Sequence, residues 1–159
     1  MEESVKSLLM VDVDGVLNPS TPSDKYRKYK FTLSEGVFTV HLNPEHGQWL
    51  VNLAEETDCE LVWCTMWQEY APQLIAPILN LPEMPFVPIQ SWKMDSSIGA
   101  DKAHAAKKYA NGRKFVALED EYDFKDHLYD SDGYQVTVDY TTGLQRWHIE
   151  QARNRLLTE

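Results

Sequence analysis

The sequence predicts an α/β fold with a mainly parallel central sheet and one small β-hairpin flap. Two observations carry this expectation. Short apolar runs alternate along the chain with helical segments, the order that builds parallel sheets. Three of those runs end in polar side chains, at Asp12, Thr65 and Asp120, and ligands bind beyond the carboxyl ends of strands in such sheets. The 159 residues fit one domain, expected over 1–159 with the flap inserted at about 20–42.

Leu8-Leu9-Met10-Val11-Asp12 is a continuous apolar run closed by a carboxylate, and it reads as a strand buried on both faces. A loop with Asn18-Pro19 and Pro22 follows. Residues 26–32 and 36–42 form the arms of a hairpin joined through Ser34-Glu35-Gly36. Asn43-Pro44-Glu45 is a helix start, with Asn43 as cap and Pro44 in the first turn; Trp49, Leu50, Leu53 and Ala54 then recur at helical spacing. Glu60-Leu61-Val62-Trp63-Cys64-Thr65 is a second buried strand. The helix expected over 69–79 accepts Pro72 in its first turn and is disturbed near its end by Pro77. Residues 85–89 are expected to form a third strand, and Asp101 to cap a helix over 102–110 closed by Asn111-Gly112. Residues 114–118 make a fourth strand running into Glu119-Asp120, and 134–140 a fifth, with Val136, Val138 and Tyr140 in alternation. Thr141-Thr142-Gly143 turns the chain into a last amphipathic helix over 147–157.

Hydrophobic residues make up 43% of the chain, which excludes disordered, collagen-like and disulfide-scaffold classes. The apolar stretches fall far short of the ~18 residues a membrane-spanning helix takes. The acidic start Met1-Glu2-Glu3 lacks the basic region of a secretory signal. Cys59 and Cys64, on one strand, point to opposite faces or lie too far apart to bridge easily. A reduced, cytoplasmic protein is expected. The formal charge of −10 argues against extended non-specific nucleic-acid binding. The charge is patchy, however. Lys25-Tyr26-Arg27-Lys28-Tyr29-Lys30 concentrates four cations, while Glu119, Asp120, Glu121, Asp123, Asp126, Asp130 and Asp132 gather acids.

Asp12-Val13-Asp14-Gly15-Val16-Leu17-Asn18, directly after a buried strand, is the sharpest chemical signal. If the chain turns there, two carboxylates two residues apart lie side by side, so one can meet an electrophile or metal while the other handles protons. Gly15 permits the turn. A calcium loop needs a bidentate Glu at its twelfth position; counting from Asp12 that position is Ser23, and the calcium reading fails. A plain acidic turn remains the bland alternative. His41, His46, His104, His127 and His148 show no zinc spacing.

These residues resemble the haloacid dehalogenase (HAD) superfamily of phosphohydrolases. Asp12-Val13-Asp14-Gly15 looks like its first motif, Leu61-Val62-Trp63-Cys64 ending in Thr65 its second, Lys102 its third, and Glu119-Asp120 after Phe115-Val116-Ala117-Leu118 its fourth. The phrases Leu42-Asn43-Pro44-Glu45-His46-Gly47, Trp63-Cys64-Thr65-Met66-Trp67 and Asp139-Tyr140-Thr141-Thr142-Gly143-Leu144 are similar to small bacterial and phage HAD domains, relatives of which occur in multi-enzyme RNA-repair proteins. The resemblance implies a three-layer Rossmann-like fold with a minimal cap.

It also implies a chemistry. Asp12 would attack phosphorus and form an aspartyl-phosphate, and Asp14 would protonate the leaving oxygen and then activate water. Mg²⁺ would be held by Asp12, Asp120 and the Asp14 carbonyl, with Glu119 as a direct or indirect helper. Thr65 and a backbone N–H nearby, that of Met66, would hold phosphoryl oxygens, and Lys102 would offset the charge of phosphate and carboxylates together. Lys93 competes for the Lys102 role; Lys102 is preferred because its helix runs straight back into the fourth strand. Trp67 is a candidate for the substrate entrance. Lys28 and Lys30 either attract substrate or form a charged edge that resists aggregation. The expected function is an Mg²⁺-dependent phosphatase acting on nucleotides or phosphorylated nucleic-acid ends. The rivals are a small-metabolite phosphatase and a non-catalytic binding module of the same fold.

Overall fold

The computed structural model describes residues 5–90 and 97–158. Four short strands, β1 (Leu8–Val11), β4 (Glu60–Trp63), β5 (Phe115–Glu119) and β6 (Gly133–Thr137), pair in parallel in the order β4–β1–β5–β6. Val11 stands level with Trp63 on one side and Leu118 on the other, so the carboxyl ends of β4, β1 and β5 open at the same height. A separate antiparallel hairpin consists of β2 (Arg27–Leu33) and β3 (Gly36–Leu42).

Strand side chains alternate between faces, and each face finds its own cover. Leu9, Val11, Val116 and Leu118 pack with Leu50 and Leu53 of α1 (His46–Thr57) and with Ile149 and Ala152 of α4 (Arg146–Leu157). Leu8, Met10, Val62, Phe115 and Ala117 pack with Ala103, Ala106 and Ala110 of α3 (Ile98–Ala110). The result is the expected α/β architecture of helix, sheet and helix layers, with the hairpin joined to the first core through buried Val40 and Leu42. Cys59 and Cys64 are free, buried and divided between the two cores. Among the described residues no helix is long and apolar enough to cross a membrane.

Several elements differ from the sequence reading. Residues 85–89 make a single bridge, Phe86 against Trp63, instead of a strand; Pro85 and Pro88 have no N–H with which to extend the ladder. The helix read over 102–110 starts a turn earlier. Its cap is Ser97, whose hydroxyl accepts the Ala100 N–H at 3.0 Å, while Asp101 lies buried in the first turn. Asn43 does not cap α1. Its side chain accepts the Glu45 N–H at 3.0 Å in a turn ahead of the helix, and Glu45 takes the cap position. The helix expected over 69–79 is a π-helical turn, Ala71–Ile75, followed by the short α2 (Ala76–Leu79). Pro77 has no N–H to continue an α-helical ladder there. β6 ends at Thr137, short of the predicted residue 140.

Candidate active site

Alternation along the strands decides which side chains meet. Asp12, Cys64 and Glu119 follow the parity of Met10, Val62 and Ala117, whose side chains face α3. Lys102, in α3, points back toward them and is 2% exposed. Its Nζ lies 2.8 Å from Asp12 Oδ2 and 2.5 Å from Glu119 Oε2. The other Asp12 oxygen accepts the Val13 N–H at 2.7 Å. Glu119 Oε1 accepts the N–H groups of Asp120 and Glu121, each at 3.2 Å. Both Glu119 oxygens are thus engaged, and the residue anchors Lys102 and shapes the turn that presents Asp120.

Asp120 lies over Gly15, which adopts φ +82°. A β-carbon on Gly15 would run into the Asp120 carboxylate, so glycine here serves both the left-handed turn and the close approach. Gly15 N–H bonds Asn18 O at 2.9 Å, and Asn18 N–H bonds Val13 O at 2.9 Å, closing the loop.

The electrostatics follow from burial. Burial disfavours the charge on Lys102, but Asp12 and Glu119 outweigh it and hold the ammonium above the usual lysine range. Burial, then the charge of Asp12, raises Glu119 well above the carboxylate range. The same two causes push Asp120 up to about 7. Cys64 is pushed up to about 12 by burial, so it stays a thiol and offers no nucleophile. Asp12, Glu119 and Asp120 each bring one carboxylate oxygen within 4.8 Å of the others. Three acidic side chains crowd one ammonium, and the raised pKa values of Glu119 and Asp120 record how unfavourable their full ionisation is without a further cation; the donors are hard oxygens. That donor set fits a divalent cation of the Mg²⁺ type.

Thr65 follows β4 and is buried, its hydroxyl accepting the Trp67 N–H at 3.2 Å. Met66 is 38% exposed beside it. Asp14 Oδ1 accepts the Asn18 amide at 2.9 Å, and Asp14 Oδ2 accepts the Trp67 indole N–H at 3.0 Å. The hairpin divides its residues by face. Tyr29 and Phe31 turn toward the first core and Phe31 meets Trp67, while Lys28 and Lys30 stand exposed on the opposite face. Lys93 lies outside the described residues. Two contributors escaped the sequence reading. Asn18 closes the Asp12 motif in sequence, but nothing local assigns its side chain a role. Gln135, in β6, donates to Glu119 O at 3.2 Å and Glu121 O at 2.9 Å, clamping the Asp120 turn. Its place in the motif is set by strand pairing that no local pattern announces.

A family model described as the HAD domain in Swiss Army Knife RNA repair proteins matches residues 8–149. The chain belongs to this family. The HAD domain is also similar to a solved Legionella pneumophila chain assigned as a HAD superfamily (subfamily III A) hydrolase, at 14% identity and a TM-score of 0.46. The likeness covers 96% of this HAD domain and 82% of that chain. No curated protein matches the HAD domain significantly.

Proposed function

We propose that this HAD domain is an Mg²⁺-dependent phosphomonoester hydrolase acting on nucleotides or phosphorylated nucleic-acid ends. The observation that carries the reading is Asp12. It is a buried carboxylate, 4% exposed, level with two other strand ends and fixed by an ammonium at 2.8 Å and a backbone N–H. An aspartate so held presents an oriented nucleophile.

Asp12 attacks phosphorus, and Asp14 gives a proton to the leaving oxygen, then takes one from the attacking water. Thr65 and the Met66 N–H orient the phosphoryl oxygens. Lys102 keeps Asp12 in place and lowers the repulsion that an incoming phosphate meets. Asp12, Asp120 and the Asp14 carbonyl would hold the Mg²⁺, with Glu119 supporting through Lys102. When bound, the ion supplies charge stabilisation to the phosphoryl group. The nucleic-acid part of the proposal draws on the family's RNA-repair setting; the exposed cations of the hairpin, on its face away from Trp67, would meet a strand beyond its phosphorylated end.

A phosphoester panel with Mg²⁺ or with EDTA tests the class. Phosphate release is expected only with the metal, and Asp12→Asn is expected to abolish it. Full activity in that variant would remove Asp12 as nucleophile, and an inactive wild type across the panel would favour a binding module. Replacing Lys28 and Lys30 together by Ala tests the substrate class. Activity on end-phosphorylated oligonucleotides is expected to fall severalfold more than on a small generic phosphoester; equal losses would count against the hairpin as a nucleic-acid contact.

A further inference from the structure

Asp14 is exposed at the site, on a loop where a carboxylate alone would be free to swing. Both its oxygens are nevertheless held, by the Trp67 indole N–H at 3.0 Å and the Asn18 amide at 2.9 Å. Neither donor is loose. The Trp67 ring meets the edges of Phe31 and Phe38, with ring centroids 6.2 and 6.1 Å away. Asn18 accepts the His41 N–H of β3 at 2.8 Å through its side-chain oxygen. Phe31, Phe38 and His41 all belong to the hairpin, so two independent lines of contact run from it to the Asp14 carboxylate.

We propose that Trp67 and Asn18 are positioning residues that hold the Asp14 carboxyl where proton transfer occurs, and that the hairpin acts in the reaction by fixing these two donors. This rests on the hydrolase reading above. In the first half-reaction an Asp12 oxygen bonds to phosphorus, the bond from phosphorus to the leaving oxygen breaks, and the Asp14 proton passes to that oxygen. In the second, a water oxygen bonds to phosphorus, the Asp12 oxygen departs, and the water proton returns to Asp14. Both transfers need the carboxyl in one place, and small misplacements cost rate steeply. The contribution of Trp67 therefore grows with the leaving group's need for a proton. A wall that merely packs against substrate would show no such dependence.

Trp67→Phe tests this, because it keeps an aromatic ring against Phe31 and Phe38 and removes the N–H. Single-turnover phosphorylation with Mg²⁺ is compared on an alkyl phosphate, a poor leaving group, and on p-nitrophenyl phosphate, a good one. The expected loss is about tenfold or more on the alkyl ester, within the range for a general acid, with KM unchanged, and at most about threefold on the nitrophenyl ester. Trp147→Phe, which removes an exposed indole elsewhere, is expected to leave both rates intact. Equal losses on the two esters, or none, would overturn the proposal. A second readout needs no turnover. In a ¹H–¹⁵N spectrum the Trp67 indole signal, identified by its absence in Trp67→Phe, is expected to shift in Asp14→Ala while that of Trp147 stays; an unmoved Trp67 signal also overturns it. A wild type inactive on both esters and on end-phosphorylated oligonucleotides would defeat the hydrolase reading and the catalytic role with it, whereas an active wild type with an unmoved indole would defeat this proposal alone.

Discussion

Gly15 and Lys102 show how far single residues determine the site. A side chain at Gly15 would strain the φ +82° backbone and displace the Asp120 carboxylate. Gly15→Ala is therefore expected to lower stability by about 1–2 kcal/mol from the left-handed backbone alone, read from the urea midpoint. It is also expected to abolish most Mg²⁺-dependent turnover. Lys102 holds two carboxylates out of water, at 2.8 and 2.5 Å. Lys102→Met removes the cation and leaves those charges buried, and breaking such a pair costs about 3–5 kcal/mol. Chemical denaturation should show a loss of that order at neutral pH; a stability change under about 1 kcal/mol would mean the ammonium does not hold the carboxylates. Both motifs were legible from residue type and order. The engagement of both Glu119 oxygens was not, since it depends on where Lys102 and two turn N–H groups arrive in space.

At the level of elements, α3 matters because it delivers Lys102. The sequence reading began this helix too late, for a physical reason. Gly99 is a poor helix former and hides the first turn, yet a side chain there would collide with Asp123. Ser97, not Asp101, supplies the cap. Ser97→Ala is expected to cost about 1 kcal/mol, a fall of roughly 2–4 °C in Tm, while kcat stays within about twofold because Lys102 remains anchored by its carboxylates. A comparable loss from Asp101→Ala with none from Ser97→Ala would reverse that assignment. The hairpin, by contrast, was read correctly as a pair of arms. Which of its faces meets the site became visible only with Phe31 and Phe38 seated against Trp67.

Across the whole molecule, the acidic site couples stability to protons, and on the proposed reading to metal. Asp120 rises from 3.8 to about 7 on folding because it is buried beside Asp12. Between those values the metal-free folded state binds more protons than the unfolded chain, so stability falls as pH rises through that window and levels off above it. On the proposed reading, Mg²⁺ would compete with protons for the same carboxylates and bind only the folded site, so its stabilisation would grow with pH. Thermal melts with and without saturating Mg²⁺ should show a larger rise in Tm at pH 8 than at pH 5. An equal rise at both would separate the metal from Asp120.

The sequence by itself determined the α/β class and the hairpin, and it nominated Asp12, Asp14, Thr65, Lys102 and Asp120 as the candidate set. These are local matters: apolar runs set strands, glycine permits a turn, and polar residues end strands. Only the tertiary structure decided which carboxylate anchors Lys102, which faces Gly15, and which donors grip Asp14. Those outcomes depend on strand parity, register and the docking of the hairpin, which bring together side chains as distant in sequence as Asp14 and Trp67. Hydrogen bonds between such residues have no local signature, because their geometry exists only once the sheet has formed and the cores on its two faces have closed.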